Sequence, residues 1–138
     1  MDQDLIENIL NEALAPASIK RLQLQIVEEN EMQIAQKPAL FYNITRTDIN
    51  NQTYDSWQNN DTIECILIDI AGADYFTDFD QNWQKIKQIE KVKNTSAYKT
   101  QNLNIELTEI TNEIGNNKMK NLIVIKFVLN IQYHTERS

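Results

Sequence analysis

This chain has very few of the residues from which active sites are usually built. Its 138 residues include one histidine (His134), one cysteine (Cys65), two glycines (Gly72 and Gly115) and two prolines (Pro16 and Pro38). A single thiol closes no internal disulfide, so cysteine usage does not point to an oxidising compartment. Neither glycine is followed by the residues a phosphate-cradling loop requires, which excludes P-loop and dinucleotide-binding motifs. No apolar run approaches the roughly 18–20 residues that span a bilayer. The N-terminal Met1-Asp2-Gln3-Asp4 lacks the positive charge of a secretory signal. The expectation is one domain over residues 1–138, cytoplasmic, soluble and non-enzymatic, working through its surface.

Charge is present but unevenly spread. Twenty acids against thirteen Lys and Arg give a net charge of −7. Residues 1–36 hold seven acids and two bases, whereas residues 76–100 hold three acids and five bases. Phosphate binding needs clustered Lys and Arg, so nucleic acid is disfavoured as the main partner. An acidic face of one copy meeting a basic face of another is allowed. A solvated charged surface without a partner accounts for the same pattern. The 17 asparagines and 19 isoleucines point to an AT-rich source and say little about mechanism.

Periodicity predicts the elements. A first helix is expected from Asp4 to Ala15, with Asp4 and Glu7 at capping-box spacing, an apolar stripe through Ile6, Ile9/Leu10 and Ala13/Leu14, and Pro16 as its stop. Arg21 to Val27 alternates through Leu22, Leu24 and Ile26 and reads as a strand, although Ile19, Leu22 and Ile26 also suit a helix. Residues 19–36 are long and polar enough for an added hairpin. Ala39 to Ile49 and Thr53 to Gln58 read as strands, and Asn59-Asn60-Asp61 reads as a break. Thr62 to Ala71 is nearly continuously apolar, the pattern of a central strand covered on both sides. A second helix is expected from Asp78 to Val92, with Phe76, Phe79, Trp83, Ile86 and Ile89 at helical spacing, acids at its start and lysines in its second half. Gln101 to Thr111 and Asn121 to Tyr133 alternate as strands, the latter reaching about 40 Å. Strands clustered around one central helix, with an additional N-terminal helix, give α+β with a mainly antiparallel sheet. The expected core is Ile6, Leu10, Ile66, Ile68, Phe79, Trp83, Ile86, Ile125, Phe127 and Leu129.

Candidate chemistry is sparse. Asp78-Phe-Asp80-Gln-Asn82 matches the first ligand positions of a calcium loop, but Trp83 replaces its glycine and Ile89 its bidentate Glu. Those acids fit a helix N-terminus better. Cys65 sits in the most apolar strand, where a free thiol behaves as a small hydrophobe, and the one histidine is remote in sequence. Carboxylate pairs such as Asp69 with Asp74 or Glu64 are unremarkable among twenty acids. No catalytic residue, cofactor or metal is therefore expected. Tyr54 and Trp57 flank polar turns, where such residues serve as interface anchors or as core. Lys87 and Lys91 lie on the basic second helix and are the other two candidate interface residues.

The order of these segments resembles the tail terminator, or tail-completion, proteins of long-tailed bacteriophages. The similarity is carried by Leu5 to Leu14, Pro38-Ala-Leu-Phe-Tyr-Asn-Ile-Thr, Asp61 to Asp69, Phe79 to Val92 and Lys120 to His134. It is one of lengths and hydrophobicity, without signature residues. The longer, more polar Arg21–Gln36 region departs from it. The resemblance implies a small α+β subunit that forms a homo-hexameric ring on the tail tube, ends tube polymerisation and offers the head-joining surface. It further implies a place at the head-proximal end of the virion tail, assembly in the host cytoplasm, and the tube and head-completion proteins as partners, with neither membrane nor sequence-specific nucleic acid among them. A reading from another class is an acidic monomeric inhibitor or adaptor that binds a host protein, favoured by the net charge. An enzyme ranks third.

Overall fold

The apolar stripe near the N-terminus becomes helix α1 (Gln3–Leu14) in the computed structural model, which describes residues 3–23, 35–51, 56–94, 103–112 and 122–136. Ile6, Ile9, Leu10 and Leu14 are its buried side. The helix stops as expected before Pro16, with Ala15 in the left-handed region at φ 45°. Asp4 lies within the first turn rather than capping it. Glu7 does not close a capping box: its carboxylate accepts from Gln3 Nε2 at 2.9 Å and from the Tyr42 hydroxyl at 2.5 Å.

The remaining elements are strands β1 (Ser18–Arg21), β2 (Ala39–Asn51) and β3 (Ser56–Ile70), helix α2 (Tyr75–Lys87), a 3-10 segment (Ile89–Asn94), and strands β4 (Asn104–Asn112) and β5 (Leu122–Glu136). They form an α+β fold with one five-stranded sheet in the order β1-β2-β3-β5-β4. Only the β1–β2 pair is parallel.

Several expectations are corrected. The first strand is Ser18–Arg21, paired with Ala39 to Tyr42, and Leu22 and Gln23 of the expected Arg21–Val27 strand lie past its end, while residues 24–27 lie outside the described residues. β1 pairs with β2 in parallel; residues 24–34 of the suggested 19–36 hairpin lie outside the described residues. Asn59-Asn60-Asp61 does not break β3. These poor strand formers are held between β2 and β5 on both sides, and tertiary pairing overrides propensity. Asp61 is fully buried, accepting from Thr47 Oγ1 at 2.7 Å and bonded to Tyr133. Burial first, and the Asp61 carboxylate second, push the Tyr133 phenol up to about 12.

A further correction concerns the second helix. It starts at Tyr75 because Asp74 caps it, accepting from Thr77 N and Thr77 Oγ1. These bonds hold the Asp74 carboxyl below its usual range. Asp78 instead turns back, accepting at 2.6 Å from Gly72 N, where a Cβ would come within 2.9 Å of the same oxygen. After Lys87 the coil tightens, with Gln88 N shared between Gln84 O and Lys85 O. Ile89 and Val92, three residues apart, then fall on one side of a 3-10 turn and are both buried.

The helices cover one face of the sheet. Ile6, Ile9, Leu10 and Ile86 meet Tyr42, Ile63, Leu67, Ile125, Phe127 and Leu129 there. Ala39, Phe41, Ile66, Ile68 and Val124 form a smaller cluster on the opposite face, so β3 is covered on both sides as expected. Eight of the ten expected core residues are buried; Phe79 and Trp83 are only partly so, packed along the flank of the cluster in an aromatic row with Tyr75. Tyr42 ties α1 to the sheet through Glu7. Replacing Tyr42 by Phe is expected to cost about 1–3 kcal/mol in urea denaturation, since a half-buried carboxylate loses one of its two donors.

Candidate interaction surface

The sheet outruns its helices. β3 and β5 pair over their full fifteen residues, from Ser56↔Glu136 to Ile70↔Leu122. That is about 50 Å of strand, against roughly 18–20 Å for helices of 12 and 13 residues. At the Ser56/Glu136 end a three-stranded ribbon of β2, β3 and β5 extends past β4, whose pairing begins at Asn104↔Gln132. Two bulges shape the sheet, at Thr45 in β2 and Thr108 in β4. Each threonine hydroxyl donates across to the neighbouring strand, to Thr62 O at 3.4 Å and to Val128 O at 3.3 Å.

The reactive residues are not assembled. Cys65 faces the helix-side core and is fully buried, and burial pushes its thiol well above the ordinary value. His134 is exposed, on the opposite face of the sheet and seven residues along β5 from Phe127, the partner of Cys65. That separation is roughly 23 Å along the strand, so no Cys–His pair exists. Asp69 accepts from Ile70 N and Asn82 Nδ2. Asp78, Asp80 and Asn82 lie within α2, so they cannot form a calcium loop. Among the described residues no group of His, Cys, Asp or Glu is placed to hold a metal ion. Thiol reagents are expected to label Cys65 only on unfolding, and Cys65→Ser and His134→Ala should retain biological activity. Loss of activity in either, with folding unchanged by circular dichroism, would contradict this reading.

The four candidate interface residues fall at two separate places. Tyr54 lies outside the described residues. Trp57 belongs to β3 near the ribbon tip, its backbone opposite Asn51 and Thr135. Lys87 ends α2 and Lys91 lies in the 3-10 segment, both exposed. Glu90 between them is bonded to Leu107, which puts these lysines beside β4 at the level of Ile63. Trp57 is six residues further along β3, about 20 Å away.

Topology brings other charges together. Sheet order sets the β1–β2 edge and the β4 edge at opposite sides of the molecule. On the β1–β2 side, exposed Lys20, Arg21 and Arg46 lie in the sheet layer, Arg46 paired with Asp48 at 2.9 Å. Above them lies α1, fixed there by Glu7–Tyr42 and by Arg21 Nη1 donating to Gln3 Oε1 at 3.5 Å. Its charged residues are the acids Asp4, Glu7 and Glu12. On the β4 side the signs reverse. The sheet layer carries exposed Glu106 and Glu109, and the helix layer carries exposed Lys85, Lys87 and Lys91. Ile49, an exposed large hydrophobic, sits on the stretch of β2 that β1 does not cover. Sequence reading found the lysines and the acidic helix but missed Arg46, Glu106 and Glu109. Their signal was charge within otherwise alternating strands, a common mark of an edge.

No protein-family model matches this chain, and no curated protein matches it in sequence.

Proposed function

We propose that this protein is a non-enzymatic virion structural protein of the phage tail-terminator type. Copies join head to tail in a ring of six that caps the tail tube, ends its polymerisation and presents the surface that joins the head. The partners on this reading are further copies of the chain, the tube protein and the head-completion protein, at the head-proximal end of the tail, after assembly in the host cytoplasm.

The observation that carries the reading is the two-layer reversal of charge between opposite sides of the subunit. A second copy translated and rotated so that its β1–β2 side meets the first copy's β4 side sets cations against Glu106 and Glu109 in the sheet layer. It sets acids of α1 against Lys87 and Lys91 in the helix layer. Two like sides, with their helices kept on one face, meet sign for sign. Head-to-tail contacts are heterologous, and they close into rings when the rotation per subunit permits. The order of elements supports the family assignment, since the segments that resemble terminators coincide with α1, β2, β3, α2 and β5.

The test is to add the protein to polymerising tail-tube protein from the same genome. Tubes should stop growing and carry the protein at one end in labelled electron micrographs. Tubes that lengthen unchanged would contradict the reading.

A further inference from the structure

Edge strands with unpaired amides recruit other strands unless something blocks them. β4 is the last strand of the sheet, with no strand beyond it among the described residues. Leu107, in the middle of β4 and immediately before the Thr108 bulge, donates its backbone N–H at 2.7 Å to Glu90 Oε1 rather than to a strand. Glu90 comes from the 3-10 segment, which packs along β4 and is anchored in the core by Ile89 and Val92. A carboxylate is a strong acceptor for a backbone amide, and its position alongside the edge occupies the space an added strand would need.

We propose that the β4 edge is a strand-docking surface for residues 43–51 of β2 in a second copy, which no strand pairs on their outer side among the described residues, and that Glu90 is the latch that keeps it shut in the free subunit. This rests on the head-to-tail reading and names its seam. The occupant is argued from charge. The β2 edge carries Arg46, ion-paired with Asp48, and lies beside the exposed Lys20 and Arg21, so this edge is net positive, whereas β4 carries Glu106 and Glu109 and no base. The exposed Ile49 on the same stretch of β2 supplies apolar area to the contact. Release of Glu90 frees the Leu107 amide for a β2 carbonyl, so the subunit assembles only where the tail tube, or a high local concentration, offsets loss of the latch contact. Glu90 is a positioning residue here, acting through Leu107.

The experiment uses the full chain with three substitutions, Glu90→Ala, Glu90→Asp and Glu90→Gln. Alanine removes the acceptor, aspartate is too short to reach, and glutamine keeps a carbonyl acceptor in place. Hydrogen exchange at the Leu107 amide in dilute solution should quicken about tenfold or more in the first two and stay near the parent rate in the third. Light scattering should show concentration-dependent association of the Ala and Asp variants beyond that of the parent, and adding Arg46→Glu should abolish the gain. Faster exchange with no gain in association, or a gain that Arg46→Glu leaves intact, overturns the proposal, as does an unchanged Leu107 rate. Should Glu90→Ala fail to fold, the Asp variant carries the same comparison. Association into open chains rather than closed rings would uphold the latch and refute the ring.

Discussion

Truncating Phe127 to alanine is expected to destabilise the protein by about 3–5 kcal/mol, the range for deleting a fully buried aromatic. Phe127 has no exposed surface, pairs with Cys65 on one side and Ile110 on the other, and faces the helix layer. It is held between the two neighbouring strands within the main core cluster, so the void cannot collapse by moving one side chain. Urea denaturation should show a lower midpoint at unchanged slope. Trp83→Ala is the informative comparison. Helical spacing puts Trp83 in the core, where its loss would cost as much. The structure leaves it half-buried against Phe79 on the flank of α2, so its truncation should cost less than that of Phe127. Equal losses at the two positions would mean that the flank is covered more deeply than it is here.

That difference shows how far periodicity reaches. Spacing on α1 and β5 identifies the face that is buried, and Ile6, Leu10, Ile125 and Leu129 all lie in the core. How deep a residue on that face lies depends on what stands opposite. Phe79 and Trp83 point to the edge of the sheet cluster, which a one-dimensional pattern does not reveal. The Asn59–Asp61 stretch fails for the converse reason. Its residues disfavour strands individually, yet β2 and β5 pair with it on both sides, and Thr47 and Tyr133 bond to the buried Asp61. The candidate surface was legible only in part. Acidic α1 and the lysines near residue 90 stand out in sequence, whereas the counter-charged edges exist only once strand order places β1–β2 and β4 on opposite sides.

Reversing Lys87 and Lys91 together to Glu is expected to weaken association between copies on the order of tenfold or more. Each exposed pair contributes roughly 0.2–1 kcal/mol, and the reversed charges would face acids across the seam. Neither lysine contributes to the buried core, so the thermal midpoint of the isolated subunit should stay close to that of the parent. The compensating change, Asp4→Lys with Glu12→Lys in the same chain, should restore association because the helix-layer contact then has its signs exchanged. Weakening without rescue would place the lysines elsewhere than opposite α1. Raising the salt concentration should loosen the seam only partly, because strand pairing and the Ile49 contact are not screened.

The central claim is head-to-tail closure into a ring, and mass measured by light scattering across concentration, alone and on tail tubes, tests it most directly. A single closed species several times the 16.1 kDa of one chain is expected, with six copies on the tube and no growth beyond it. A particle that stays at the mass of one chain at high concentration, and that also fails to multimerise on tubes, would contradict it and leave the acidic inhibitor as the leading reading.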